Sequence, residues 1–162
     1  MTSGQSKSPR QQRGLSTVEF AIVGSLVFLV VLGVIETSRA AFARAMIEEG
    51  VRRAARLAAV CPLNDPYITN AARFTERNWG TNIIPQLTAS MVTLQYLDEH
   101  AAWIPDPLTN FTSIRFVRVT TAGYEIPLYI PFVNLTYKPG PLSSTQPAES
   151  LGVQPTDKPP CH

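Results

Sequence analysis

From Phe20 to Ile35 the chain runs 16 residues without a charge, mostly Val, Leu, Ile, Phe, Ala and Gly. A helix of that length covers about 24 Å, short of the roughly 30 Å hydrocarbon core of a bilayer. Carried back to Leu15 it has 21 residues and about 32 Å, enough to span. That extension brings Glu19 into the apolar stretch. Beyond Ile35 the pattern changes: Ile47, Val51, Ala54, Ala55 and Ala58 recur at helical spacing as a narrow apolar stripe. Eight alanines lie between Ala40 and Ala59, and alanine is the strongest helix former. Glu48 with Arg52 and Glu49 with Arg53 are i,i+4 pairs in the favourable acid-first order. Gly50 costs about 1 kcal/mol relative to alanine and marks a candidate bend. The residue before Pro62 disfavours helical backbone. Residues 15–60 are therefore predicted as one long helix, membrane-embedded over 15–35 and amphipathic over 36–60.

Asp65-Pro66 then supplies an N-cap with proline at the first helical position. A second helix is predicted from about Pro66 to Trp79, ended by Gly80. Thr88–Leu97 and Ser113–Thr121 are rich in β-branched and aromatic residues and read as strands. Glu125–Tyr137 carries Pro127 and Pro131, which predicts an edge strand or an irregular extended run. From Lys138 onward six of 25 residues are proline, and this tail is expected to be disordered. The expected fold class is α+β. A long transmembrane-plus-amphipathic helix precedes a small α+β domain over 61–137 and a Pro-rich tail over 138–162.

Composition narrows the function. The 162 residues carry 14 Lys+Arg against 12 Asp+Glu, a net charge of +2, too small for nucleic-acid binding by bulk electrostatics. Two cysteines and two histidines are too few for an all-Cys zinc site or an obvious metal or His-based catalytic centre. No metal, cofactor or catalytic residues are expected. Asp98-Glu99-His100 are adjacent and do not share a face, so they read as a solvated turn. Trp79, Trp103, Phe116 and Tyr124 are expected in the core. Cys61 and Cys161 form an even pair, either a disulfide if that part of the chain is exported or two free thiols.

Orientation does not follow from charge counting alone. Lys7, Arg10 and Arg13 precede the apolar stretch, and Arg39, Arg44, Arg52 and Arg53 follow it. The first group is unopposed by acid, like a signal n-region. With the cysteine pair, this favours a cytoplasmic N-terminus and an exported C-terminal part.

The most specific residues are Arg13-Gly14-Leu15-Ser16-Thr17-Val18-Glu19-Phe20, running straight into the apolar helix. This run resembles a type IV prepilin signal: a basic leader ending in Gly, then Glu at the fifth mature position and an aromatic at the sixth. Over residues 13–60 the chain is similar to TadE-family pseudopilins of the tight-adherence (Flp) pilus system. The resemblance implies a pilin-like architecture and a leader over residues 1–14. Prepilin peptidase would cut it between Gly14 and Leu15 on the cytoplasmic side. It also implies that Glu19, beside Phe20, pairs with a neighbouring subunit's new N-terminal amine. On the residues alone, Glu19 reads equally as an interfacial acid reaching for headgroups. Cleavage would remove three cations and no anion, turning +2 into −1. The 148 residues left exceed the short major subunits of that system and point to the minor class.

The resulting expectation is a structural, non-enzymatic minor pilin or pseudopilin, single-pass in a bacterial inner membrane, with a periplasmic C-terminal domain. Its expected partners are prepilin peptidase, other pilins or pseudopilins and the tight-adherence secretion machinery, with no nucleic acid. Two other readings remain at this stage. One is a single-pass anchored periplasmic protein with no pilus function, in which Glu19 is incidental. The other is a secreted soluble binding protein cut at Ser38-Arg39-Ala40, a loose small-x-small site crowded by Glu36 and Arg39.

Overall fold

Pro9 and Pro62 bracket a stretch without any proline, and a single helix fills it. In a computed structural model, which describes residues 10–75, 83–131, 133–151 and 161 (10–15 as backbone only), helix α1 runs unbroken over Arg10–Val60. Helix α2 covers Pro66–Ala72. Five strands follow: β1 Val92–Leu97, β2 Phe116–Thr121, β3 Ile126–Ile130, β4 Val133–Tyr137 and β5 Leu142–Pro147. The fold is α+β, a long apolar helix followed by a small antiparallel β domain.

The second half of α1 is the domain's main core element. Ile47, Val51, Ala54, Ala55 and Ala58 are at most 1 % exposed, the same five positions that define the sequence stripe. Four of the eight alanines, at 54, 55, 58 and 59, are buried at its end. Side chains that small let neighbouring backbone approach the helix closely. Against this face lies a sheet of order β1-β2-β5, antiparallel throughout. Val117 and Val119 of the central strand are fully buried. Phe116, Arg118 and Thr120 alternate outward as the pleat requires.

Helix α2 begins as its sequence dictates, with the Asp65 carboxylate accepting from the Tyr67 N–H at 2.8 Å and Pro66 at the first position. It ends earlier than expected, at Ala72. The Thr75 N–H donates to the Asn70 carbonyl at 2.9 Å and the Phe74 N–H to that of Ala71 at 3.2 Å. This is a Schellman closure with Phe74 in the left-handed region at φ 58°. Glycine usually fills that position, so nothing in the sequence announced the stop. Trp79 and Gly80 lie outside the described residues.

Gly50 lies within the unbroken helix and has a packing role. A Cβ built there would lie 2.2 Å from the Ala72 carbonyl oxygen, so the missing side chain is what lets the end of α2 dock on α1. The prolines of Glu125–Tyr137 do not prevent a regular hairpin. Strands β3 and β4 pair from Ile126↔Tyr137 to Ile130↔Val133 in a sheet of their own.

The tail departs most from expectation. Its residues 142–147 form β5, in register with β2 from Phe116↔Pro147 to Thr121↔Leu142. Leu151 is buried. The Glu149 and Leu151 N–H groups donate to the Ala59 carbonyl at 3.0 and 3.3 Å, and Ser150 Oγ donates to that of Val60. These bonds satisfy carbonyls that the last turn of α1 would otherwise leave without partners. Prolines 139, 141 and 147 sit outside or at the end of the paired run, where no ladder N–H is lost.

Candidate functional site

Among the described residues, the apolar window in the first half of α1 is left uncovered by the domain. Its apolar window has a mean hydropathy of 2.7 and none of it is buried. Phe20, Phe28 and Val30 are among the most exposed side chains, Phe20 at 78 %. One helix therefore has the length and composition to cross a bilayer. Gly14 and Leu15 lie on its backbone near the start. Glu19 and Phe20 follow, both solvent-facing. Leu15 and Glu19 are four positions apart, so they fall one turn apart on the same side of the helix. Glu19 is the single Asp, Glu, Lys or Arg between Leu15 and Ile35.

Where charge returns, α1 meets the hairpin. Glu36 is nearly buried. Its Oε2 accepts from Arg39 Nη2 at 2.7 Å, from Arg39 Nε at 3.2 Å and from the Tyr129 N–H at 3.2 Å. Arg39 also donates to the Pro127 carbonyl and stacks over the Tyr129 ring, 5.2 Å from its centroid. Together the carboxylate and guanidinium satisfy the free edge of β3, accepting from one residue and donating to another as a neighbouring strand would. One turn and a half further along the helix, Arg44 Nη1 donates to the Tyr137 hydroxyl at 3.2 Å. Sequence reasoning did not single out this latch. Its signal was there in Glu36 and Arg39, the first charges after a charge-free run at i,i+3 spacing.

The same geometry bears on the secreted reading. Ser38, Arg39 and Ala40 lie inside an unbroken helix, with Ala40 buried and Arg39 holding the hairpin. A cut there would discard Glu36 and free the edge of β3.

At the far end of α1, Cys61 and Cys161 are bonded, with Cα atoms 5.8 Å apart across 100 residues of sequence. Cys61 is fully buried. Nearby, the Asn64 N–H donates to the Tyr96 hydroxyl at 2.9 Å, and burial pushes that hydroxyl above the usual tyrosine range against the pull of this bond.

Other candidates resolve into local structure. Asp98 Oδ1 accepts from the His100 and Ala102 N–H groups, making the acidic triplet a turn on the surface. The Asp106 carboxylate is held below its ordinary range by the Thr109 hydroxyl and N–H in another exposed turn. Arg52 pairs with Glu48 at 2.8 Å and lies 3.8 Å from Glu49; Arg53 sits over the Phe74 ring. Tyr124 is buried and donates to the Pro85 carbonyl. Trp103, expected in the core, is instead 61 % exposed: it pairs with Leu97 across an isolated bridge at the sheet margin. Phe116 is half-buried, on the outward face of β2. Among the described residues no group of three or more His, Cys, Asp or Glu gathers as a metal site would.

Neither the curated proteins nor the solved structures compared with the chain give a match. Residues 14–56 match the family model described as TadE-like protein. The matched segment starts at Gly14, includes Glu19, Phe20, Glu36 and Arg39, and ends within the alanine-rich stripe, leaving the β domain outside it. Over that helix, about a quarter of its length, the chain is similar to the TadE-like family.

Proposed function

We propose that this chain is a minor pilin or pseudopilin with a structural role in assembling a Flp-type pilus. The observation that carries the reading is Glu19: a lone carboxylate on an unpartnered apolar helix, one turn beyond Leu15, at the head of the matched segment. An acid in or near hydrocarbon is costly unless it finds a partner. Cutting between Gly14 and Leu15 by a prepilin peptidase creates one, because the new α-amino group of a neighbouring subunit is a cation at the same depth. Gly14 weakens the helix at that point by about 1 kcal/mol relative to alanine, which eases the local unwinding a protease needs. Removal of residues 1–14 takes away the unopposed Lys7, Arg10 and Arg13. That leader, unopposed by acid like a signal n-region, keeps the N-terminus on the cytoplasmic side until it is cut. The β domain then stands in the periplasm, and α1 joins other pilins or pseudopilins and the secretion machinery in the inner membrane.

The test is Glu19→Ala in cells that make the pilus, read by cross-linking between α1 helices and by piliation. The cross-linked product should fall at least about tenfold, equivalent to about 1.4 kcal/mol, which is modest for one half of a desolvated ion pair. Membrane insertion should be unchanged. Unaltered cross-linking and piliation would instead favour a single-pass anchored protein with no pilus role.

A further inference from the structure

The β3–β4 hairpin lies along α1 in register with it, and the register can be followed. Tyr137, paired with Ile126 at the base, meets Arg44; Pro127 meets Arg39; Tyr129 meets Glu36. From Arg44 to Glu36 the helix moves about 12 Å toward its N-terminus, while the hairpin advances about 10 Å from Ile126 to Tyr129. The two elements therefore run nearly side by side, and the hairpin points toward the apolar half of α1. Two further residues beyond Tyr129 add about 7 Å and bring Pro131 to the level of about Leu32, past the last apolar residue Ile35.

The composition of the hairpin fits that depth. No residue from Ile126 to Tyr137 is charged. Charge appears only at the base, where Glu125 and Lys138 pair at 2.6 Å. Tyr129, Val133 and Leu135 are 71, 43 and 51 % exposed. Tyr129 lies at the level where the helix changes from apolar to charged, at Glu36, the position tyrosine favours at a membrane surface. The exposed apolar surface of the hairpin is thus continuous with that of α1.

From this we infer that the β3–β4 hairpin inserts its distal end into the bilayer, in the leaflet that receives the C-terminal end of the apolar helix. The membrane contact is then two elements rather than one. The Glu36–Arg39–Tyr129 latch sits at the headgroup boundary and fixes the tilt of the β domain on the lipid surface. The inference rests on the reading that residues 15–35 span a membrane.

Single cysteines at exposed positions test it, because both native cysteines are bonded. Ile22→Cys, Val133→Cys, Leu135→Cys and Leu108→Cys are each labelled with an environment-sensitive fluorophore. The full chain is then reconstituted in phosphatidylethanolamine–phosphatidylglycerol vesicles carrying shallow or deep spin-labelled lipids. Leu108 is the control, 74 % exposed in the loop leading to Phe111–Ser113, at the sheet end beside the C-terminus of α1. Labels at 133 and 135 should lose fluorescence to the shallow quencher, the label at 22 to the deep one, and the label at 108 to neither. Quenching at 22 without quenching at 133 and 135 overturns the hairpin's insertion and leaves the spanning helix intact. Absence of quenching at 22 overturns the spanning helix, and the hairpin's insertion with it.

Discussion

Gly50→Ala is expected to destabilise the domain by about 2 kcal/mol, although alanine is the better helix residue. In isolation the change adds about 1 kcal/mol of helix stability. In the folded chain the new methyl would sit 2.2 Å from the Ala72 carbonyl oxygen, 3.1 Å from its carbon and 3.1 Å from the Phe74 ring. The first two are backbone atoms at the closed end of α2, held there by the Asn70–Thr75 and Ala71–Phe74 bonds, so relief requires moving the whole helix. Overpacking of that kind costs up to about 3 kcal/mol, which outweighs the propensity gain. Gly24→Ala is the control, since nothing lies within 4 Å of its added Cβ. Denaturant unfolding of the detergent-solubilised chain, followed by near-UV circular dichroism, reads both. A Gly50→Ala chain as stable as the parent would mean that α2 is not docked on α1 as described.

The second large effect is expected from Cys61→Ser together with Cys161→Ser. A cross-link closing about 100 residues restricts the unfolded chain by up to about 4.7 kcal/mol, and measured effects commonly fall at 2–4 kcal/mol. The loop it closes contains all of α2 and both sheets, every element of the domain except α1. The double variant should unfold at lower denaturant by an amount equivalent to about 3 kcal/mol. Reductant should shift the parent chain equally and leave the double variant where it is. Equal stability of parent and variant would show that the two sulfurs do not hold the fold.

What the sequence disclosed and what it concealed divide along physical lines. Helix α1 was legible over residues 15–60 because its signals are dense and local: an uninterrupted apolar run, an alanine-rich stripe and Pro62 just beyond its end; it starts at Arg10, five residues before the expected start. The same is true of the start of α2, where Asp65 and Pro66 act within three residues. The end of α2 was hidden because Phe74 occupies a position that glycine normally marks. Strand β5 was hidden because its partner, β2, lies more than 20 residues earlier, and Leu-Ser-Ser-Thr-Gln-Pro has almost no apolar pattern of its own. Tertiary pairing supplies its stability, as does the capping of Ala59 and Val60 by residues 149–151. The latch was overlooked for a related reason. Glu36 and Arg39 read as the polar resumption after a membrane segment, and their roles depend on a hairpin some 90 residues away. Trp103 shows the converse error, a large aromatic assigned inward by type that the sheet margin leaves outside. At the N-terminus the residues proposed to act in assembly, Gly14, Leu15, Glu19 and Phe20, were visible in the sequence, because the proposed roles depend on spacing along one helix rather than on folding together.

The pilin reading turns on residues 1–14 being a leader whose removal gives Glu19 its partner in a neighbouring chain. Intact-mass and N-terminal peptide analysis of the protein recovered from membranes of cells with an active prepilin peptidase tests it most directly. A chain beginning at Leu15 is expected, with the unprocessed form accumulating when the peptidase is inactive. A chain still beginning at Met1 in peptidase-active cells, or one beginning at Ala41 after release from the membrane, would contradict it.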